Sequence, residues 1–345
     1  MATLNFSALT DLILENYGPT VIQSFSQTGL KNGMIDPDSI IGRLQDAGRL
    51  IVGPGQNSDR YAKDWGVDTA ATTASTIDGS DSFPTAQNPT FDDAKIEWKR
   101  VVAGVQIDNL TMQAFRNGRG LRNDALAGDI RRKMTDVLQK VEAGLASDGT
   151  GNSGKDVTGY GALLSTSNTY AGIDQSAAAY WRANIVDASS GSLSEVLLNS
   201  LCGTMYDRKA IDSSVEIWAN RVQYEKAVAL FKDSMRFAPG GTNESFGTLF
   251  VPQYGVVIRK VHSIPNDEMW FIKRNESELR FLDHVPASDM QRVQQLQDAE
   301  SYEGFPFGFE LVSKDGDYNY LAVKAYVNLA QATPFKCGAL INLAT

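Results

Sequence analysis

The chain has 345 residues, of which 42% are hydrophobic and 21% charged, enough apolar material for one large or two modest cores. Its 32 Lys and Arg residues are outnumbered by 41 Asp and Glu, and a formal charge of −9 argues against a dedicated DNA-binding protein. No apolar run approaches the roughly 20 residues that cross a bilayer, and the N-terminus has no signal-peptide pattern. We therefore expect a soluble globular protein, made in the cytosol, without membrane contact.

Residues 1–60 contain short helical patterns interrupted by Gly and Pro, which predicts an arm that lies along other elements. The next segment, residues 61–104, predicts a long two-stranded ribbon. Strand-like residues 61–67 and 95–102 flank a polar stretch, in which ten of the fourteen residues 69–82 are Thr, Ala or Ser. Because an isolated ribbon is only marginally stable in water, we expect it to lean on a neighbouring subunit. A disordered surface loop is the alternative.

The strongest helical pattern runs over residues 124–146. Its apolar residues recur at steps of three or four, as one helix face requires: Leu126, Ile130, Met134, Leu138, Val141 and Leu145. Such a helix would be about 35 Å long. Gly149 suits a left-handed stop after it.

Residues 150–300 alternate strand and helix patterns and predict a compact α/β unit. Ser192 with Glu195, and Asn220 with Gln223, have the spacing of capping boxes at two helix starts. Strands are expected at 215–218, 255–261 and 269–273.

The C-terminal region predicts strands again. Apolar residues alternate with other residues over 320–329, which is the period of a strand. Residues 309–313 are the expected partner across a turn at 314–317, and 335–343 could form another strand. The fold class is therefore α+β.

One glycine-rich motif, Gly149–Lys155, satisfies the dinucleotide pattern and most of the phosphate-loop pattern. A phosphate loop needs a preceding strand, a following helix and a hydroxyl residue after the lysine. Here a helix precedes, and Asp156 follows the lysine. A turn is the favoured interpretation, and a nucleotide-binding enzyme is kept as an alternative.

Other signals of chemistry are weak. Asp315–Asn319 begins like a calcium loop but lacks the required Gly and Glu further on. Only two cysteines and two histidines are present, and they have no metal-ligand spacing: Cys202, Cys337, His262 and His284. We predict no catalytic residue, no cofactor, no metal site and no enzymatic activity.

Basic residues concentrate around the long helix: Arg116, Arg119, Arg122, Arg131, Arg132, Lys133 and Lys140. Seven basic against five acidic residues give residues 108–147 a balance of +2. A solvated helix face with internal pairs is the favoured explanation. Loose contact with a polyanion, or salt bridges to a neighbouring subunit, are the alternatives.

The order of these elements resembles the major capsid proteins of tailed bacteriophages with the Hong Kong 97 fold. The most specific stretch is Tyr-x-Gly-Ile-Asp-x-Ser at residues 170–176, followed by Trp-Arg-Ala-Asn at 181–184. The resemblance implies an N-terminal arm (1–60), an extended β-hairpin loop overlapping an adjacent subunit (61–104), a peripheral domain with a long spine helix (105–149 and 307–345), and an α/β axial domain (150–306).

The resemblance also implies a function. Copies of the chain would self-assemble into hexamers and pentamers of an icosahedral head that encloses double-stranded DNA, and the chain would be found in the virion. Scaffolding, portal and decoration proteins are further possible partners. A cellular, encapsulin-like shell around a cargo enzyme is the alternative with the same fold.

The layout also suggests candidate residues at subunit contacts. Phe91 and Trp98 are candidate apolar anchors of the ribbon, and Arg116, Arg119 and Arg122 are candidate intersubunit salt-bridge donors. Ordinary local packing and solvated charge explain both sets equally well. Some family members link a loop lysine covalently to a neighbour. Because residues 69–92 contain no lysine, we expect a shell without such links.

Overall fold

The computed structural model describes residues 30–31, 34–53, 61–69, 90–108, 123–231, 249–282, 308–315 and 318–345. Within them the fold is a mixture of helices and strands, as expected for the α+β class. The strands are β1 (Leu30–Lys31), β2 (Met34–Ile35), β3 (Leu50–Val52), β4 (Tyr61–Asp68), β5 (Phe91–Glu97), β6 (Lys99–Asp108), β7 (Thr169–Tyr170), β8 (Ile173–Asp174), β9 (Asn184–Asp187), β10 (Val215–Ala219), β11 (Leu249–Val251), β12 (Val256–Lys260), β13 (Met269–Lys273), β14 (Ser277–Phe281), β15 (Gly308–Asp315), β16 (Tyr318–Gln331) and β17 (Gly338–Ile341). The helices are α1 (Ile40–Asp46), α2 (Asn123–Ala146), α3 (Gly151–Gly154), α4 (Tyr160–Leu163), α5 (Glu195–Asp207) and α6 (Arg221–Leu230), with 3-10 turns at Arg274–Glu276 and Pro334–Lys336.

The long helix is confirmed as α2. Its described apolar stripe is buried, as the spacing predicts: Met134, Leu138, Val141 and Leu145. The side chains of the first part of the helix, residues 123–132, lie outside the description. Gly149 follows with φ +76°, the left-handed conformation expected after the helix.

A five-stranded sheet lies against α2 and is organised around the long strand β16. Over residues 318–327 this strand pairs antiparallel with β6. On its other side it pairs first with β15 and then with β14, and β3 continues the sheet beyond β14. The predicted strand alternation and the predicted hairpin with residues 309–313 are both confirmed.

A six-stranded sheet has the order β11-β12-β10-β13-β17-β9. All five residues of its inner strand β10 are buried. Alternation sends Ile217 to one face of the sheet and Trp218 to the other, so each face supports its own apolar core. One core lies toward α2 and the ribbon strands, and the other lies beneath α5 and α6.

Each of the two sheets contains a strand from a segment that the sequence assigned to the other domain. Strand β17 comes from the C-terminal segment, yet it pairs with β13 and β9 in the six-stranded sheet. Strand β14 belongs by sequence to the expected axial segment, yet it joins the five-stranded sheet. Hydrogen bonding between strands that are distant in sequence decides which sheet each strand joins. The amino-acid composition of a segment does not indicate such pairing.

The two predicted helix starts differ in outcome. Helix α5 begins two residues later than the Ser192 capping box predicts. Its cap is Ser194, whose Oγ accepts a hydrogen bond from Leu197 N (3.3 Å). Glu195 is consequently the first helical residue, where a negative charge suits the helix dipole.

Helix α6 does begin after Asn220, whose side-chain oxygen accepts from Val222 N (3.2 Å). The predicted capping role of the Gln223 side chain is wrong. The side chain of Gln223 is buried and donates instead to the carbonyls of Asn266 (2.7 Å) and Ala344 (2.9 Å). Gln223 thereby ties α6 to the C-terminus of the chain.

Helix α1 is joined to α2 by one buried carboxylate. Glu142 on α2 accepts hydrogen bonds from the backbone N–H groups of Ile40 (2.7 Å) and Ile41 (3.1 Å) and from Ser263 Oγ (2.6 Å). Burial raises the pKa of Glu142 above its ordinary value, although these hydrogen bonds act in the opposite direction. Helix α1, within the segment predicted to be an arm, thus lies against α2, whereas residues 1–29, 32, 33 and 54–60 of that segment lie outside the described residues.

Candidate intersubunit surface

The ribbon predicted from the sequence is present in its described part. Strands β4 and β5 pair antiparallel from Tyr61 opposite Glu97 to Asp68 opposite Phe91, with a bulge at Ala62. The pairing continues to Thr69, whose N–H donates to the carbonyl of Thr90 (3.0 Å). Residues 70–89, the predicted polar tip, lie outside the described residues.

The base of the ribbon packs on its own chain, and the expected contact with a neighbouring subunit stays a prediction. Ala62, Ala94 and Ile96 are almost fully buried in the core beside α2. The half-buried indole of Trp65 lies 6.1 Å, centroid to centroid, from that of Trp181. These contacts supply the apolar burial that an isolated ribbon lacks.

A charged group fixes β4 to the five-stranded sheet. Lys63 Nζ lies 2.9 Å from Glu278 Oε2, and both side chains are largely buried. Arg280 pairs with the same carboxylate (2.9 Å) and donates to the carbonyl of Ala62 (3.0 Å). Burial raises the pKa of Glu278, but the hydrogen bonds and charges of Lys63 and Arg280 outweigh it and hold that pKa below the ordinary value.

Strand β5 is held on the other side by residues 170–181. Lys95 N donates to the carbonyl of Ala171 (2.8 Å). The hydroxyl of Tyr180 donates to the carboxylate of Asp92. This hydrogen bond, with a smaller contribution from burial, raises the pKa of Tyr180 to about 12.

Residues 170–181, called the platform below, include most of the stretch on which the family resemblance rests. Trp181 Nε1 donates to the carbonyl of Tyr170 (3.2 Å), closing the loop between the two halves of the motif. Arg182 donates to the carbonyls of Gln175 (2.9 Å) and Ser176 (2.8 Å). The motif therefore supports strand β5 of the ribbon, a role that the sequence did not predict.

The distal end of the described ribbon is exposed. Phe91, a predicted apolar anchor, is 61% exposed, so its ring is accessible at this end of the strands. Asp68, Asp92 and Asp93 are exposed beside it. This accessible apolar surface at the end of the described strands is available for contact with another molecule.

Trp98, the second predicted anchor, has a different setting. It interrupts the strand pattern between β5 and β6, so that the strand expected over 95–102 is split between the ribbon and the five-stranded sheet. Its side chain is half-buried against the chain's own core. Trp98 therefore anchors the ribbon base within the subunit. Arg116, Arg119 and Arg122 lie outside the described residues.

The three lysines near the ribbon base are engaged within the chain. Lys63 pairs with Glu278, and Lys95 lies 3.2 Å from Asp93. Lys99 donates to the carbonyl of Gly154 (2.7 Å). Their ammonium groups thus serve local contacts at the base.

The glycine-rich motif forms a turn between α2 and α4. Asn152 and Ser153 both have positive φ, so the N–H groups of this segment do not form a regular helix start. The Asp156 carboxylate occupies the space beside Gly151 and pairs with Lys140 (3.1 Å). A carboxylate at this position repels phosphate.

The other candidate metal-binding and nucleophilic residues have few features of a functional site. Asp36, Asp38 and His262 bring ligand atoms within 4.8 Å of one another, but Asp38 already pairs with Arg43 (3.1 Å). Cys202 and Cys337 are buried free thiols, and burial raises the pKa of each to about 12, far from a reactive thiolate. His284 lies outside the described residues. Among the helices that the structure describes, none combines the length and apolar character that a bilayer-spanning helix needs.

No protein-family model matches the sequence, and no curated protein sequence matches it. Solved structures do match the fold. The subunit of the cyanophage A-1(L) capsid is 12% identical, with a TM-score of 0.60 over 86% of this chain and 91% of the other. The subunit of the native GTA particle capsid is 11% identical, with a TM-score of 0.57 over 96% of this chain and 99% of the other. At this identity the likeness establishes the fold, which is that of a phage-type capsid subunit, as the resemblance implied.

Proposed function

We propose that this chain, which has the fold of a capsid subunit, is the major capsid protein of a tailed phage. In this proposal its copies form hexamers and pentamers of an icosahedral head that encloses double-stranded DNA. The observation that carries the proposal is the likeness to the GTA capsid subunit over 96% of this chain and 99% of the other.

The ribbon gives the proposal a physical basis. Its base is fixed within the subunit by Trp65 and Lys63, whereas its distal end exposes Phe91. Strands that are held in place at their base can overlap a neighbour at lower entropic cost than free chain, because their described part is already ordered. When each subunit touches several others, individually weak contacts give a stable closed assembly.

We also propose that the role is structural and involves no catalysis. In support, the turn at residues 149–156 places a carboxylate where a nucleotide phosphate would need to bind, and the two cysteines are buried. A thermal-shift titration with ATP, GTP and NAD tests this point. We expect no saturable shift. A shift that Lys155→Ala abolishes would favour the nucleotide-binding alternative.

The test of the assembly proposal is to purify the expressed chain and measure particle mass by sedimentation and negative-stain microscopy. We expect closed particles of megadalton mass. Monomers or dimers under all conditions tested, including with candidate scaffolding proteins present, would contradict it. Nucleic acid content of particles from infected cells separates a genome container from a shell that holds a cargo enzyme.

A further inference from the structure

One buried carboxylate that the proposed function does not use joins three parts of the chain. Glu142, in the second half of α2, accepts hydrogen bonds at Oε1 from Ile40 N (2.7 Å) and Ser263 Oγ (2.6 Å). Its Oε2 accepts from Ile41 N (3.1 Å). The donors belong to α1 and to the segment that follows β12, and they are 101 to 121 positions away from Glu142 in sequence.

Neutral groups surround this carboxylate. All three donors are uncharged, and among the described residues no Lys, Arg or His side chain forms an ion pair with Glu142. On α4, the fully buried phenol of Tyr160 interacts with Glu142 electrostatically, but burial raises the pKa of Tyr160 well above its ordinary value and keeps it neutral. The positions three and four residues away on α2 are uncharged as well: Leu138, Gln139, Leu145 and Ala146. Ionisation is therefore costly here, because no positive charge compensates for the lost water.

The charged groups around α1 do not relieve this cost. In the turn before α1, the negative charge of Asp36 opposes ionisation of Glu142. Arg43, on α1, pairs with Asp38 (3.1 Å). On the segment after β12, His262 Nε2 lies 3.6 Å from Asp36 Oδ2, a contact that is an ion pair only when the imidazole is protonated. Glu142 and His262 are thus the two groups through which pH can act on the attachment of α1.

The other contacts of α1 do not titrate. Its apolar side chains Ile40, Ile41 and Leu44 are buried in the core beside α2. Strand β3, which follows α1, is held separately by its pairing with β14. Helix α1 can consequently move away from α2 while the five-stranded sheet stays intact.

We propose that Glu142 is a proton-controlled clamp on helix α1, which the neutral carboxyl group holds against α2 and which ionisation loosens. When α1 is detached, water reaches Glu142 and its pKa is the ordinary 4.5, whereas burial raises that pKa when α1 is attached. The attached state therefore binds the proton more tightly. Its stabilisation is complete below pH 4.5 and is lost as pH rises through the raised pKa. This inference does not rest on the proposed shell function.

Hydrogen exchange of the full chain at a series of pH values between 4.5 and 8.5 tests the clamp. The readout is the protection factor of peptides that cover residues 39–47, which corrects for the intrinsic pH dependence of exchange. We expect this protection to fall as pH rises, about tenfold for each unit by which attachment raises the pKa of Glu142. Protection of β3 and β14 should stay constant over the same range.

Glu142→Gln replaces the carboxylate by a neutral group of the same shape, whose amide oxygen still accepts a hydrogen bond. We expect the protection of α1 in this variant to be independent of pH. Glu195→Gln, at the exposed first residue of α5, is the matched control and should keep the pH dependence of the unmodified chain. Circular dichroism and thermal melting verify that each variant folds.

His262→Gln separates the histidine from Glu142. The imidazole is removed while the donors to Glu142 remain, so we expect the pH dependence to persist. Two results would overturn the proposal: constant protection of α1 in the unmodified chain, and a pH dependence that survives in folded Glu142→Gln. If the dependence survives there and disappears in His262→Gln, the pair of His262 and Asp36 is the switch and the assignment to Glu142 is wrong.

Ser263→Ala gives a test that keeps the carboxyl group and applies even if Glu142→Gln does not fold. The hydrogen bond from Ser263 lowers the pKa of Glu142, so its removal should raise that pKa further. We expect the fall in α1 protection to move to higher pH in this variant. A fall that stays in place or moves to lower pH would contradict the clamp.

Discussion

The indole ring of Trp65 on the ribbon lies against that of Trp181 in the platform, with centroids 6.1 Å apart and planes inclined by 43°. The two residues are 116 positions apart in sequence. Trp181 in turn stacks on Tyr170, at 6.3 Å. Through this aromatic series the projecting strands are continuous with the main core, so the ribbon base is part of the folded subunit before any assembly occurs.

Removing the Trp65 ring should loosen the ribbon. We expect Trp65→Ala to lower the free energy of unfolding by about 2 kcal/mol, because Trp65 is only half-buried and a fully buried Trp is worth more. Hydrogen exchange in β4 and β5 should accelerate. Val196→Ala, at a side chain 77% exposed, is the matched control and should have little effect. Unchanged exchange in Trp65→Ala would show that the stacking does not hold the ribbon.

The group formed by Lys63, Glu278 and Arg280 should make the ribbon base sensitive to acid. Because the folded-state pKa of Glu278 lies below the ordinary value of 4.5, its stabilisation is complete above that value and is lost as pH falls through the lower folded pKa. Glu278→Gln should cost about 2 kcal/mol at pH 7, as expected for a hydrogen-bonded charge.

Urea unfolding at pH 7 and at pH 3.5 measures this effect. The gap in the free energy of unfolding between Glu278→Gln and the unmodified chain should narrow at the lower pH, because Glu278 takes up a proton in the unfolded chain before it does so in the folded one. A gap that stays constant or widens on acidification would contradict the assignment.

A second acid-sensitive pair, Lys273 and Asp212, lies at the C-terminal end of β13. The buried ammonium of Lys273 is 2.7 Å from Asp212 Oδ2, and Ser214 also donates to this carboxylate. Burial opposes ionisation, but these contacts outweigh it and lower the pKa of Asp212 to about 2. The stabilisation is therefore present above pH 4 and is lost as pH falls toward 2.

We expect Asp212→Asn to cost about 1 kcal/mol at pH 7, a discounted figure because half of the Asp212 side chain is exposed to solvent. Equilibrium unfolding curves at a series of pH values between 7 and 2 give the measurement. If the variant shows the same acid dependence as the unmodified chain, Asp212 is not a source of that dependence.

Close packing at the end of α2 should make Gly159 intolerant of a side chain. A Cβ at this position would overlap the carbonyl oxygens of Gly144 and Leu145, which are backbone atoms and cannot move aside. We expect Gly159→Ala to destabilise by about 2–3 kcal/mol. Gly104→Ala is the control, because a Cβ there meets open space. Equal melting temperatures for the two variants would refute this packing.

Local pattern was sufficient for the elements that have one buried face. The steps of three and four residues through Leu138, Val141 and Leu145 predicted α2, and the alternation along β16 predicted that strand, since both periods follow directly from which side chains avoid water. The glycine after α2 was also predictable, because its positive φ has a steric cause.

Long-range pairing was not predictable from local pattern. Nothing near Trp65 indicates Trp181, and nothing near Gly338–Ile341 indicates that this strand enters the six-stranded sheet between β13 and β9. The capping prediction at Ser192 failed because Ser194, two residues on, is an equally good cap and the packing of α5 selects it. The ribbon was therefore found, but its attachment to its own subunit was missed.

A reconstruction of purified particles by electron cryomicroscopy measures directly where the distal part of the ribbon lies in the assembled shell. We predict a closed shell in which residues 69–90 of each subunit contact a neighbouring copy while Trp65 stays against Trp181 of its own chain. Particles in which residues 69–90 touch only their own subunit would contradict the proposed overlap between subunits.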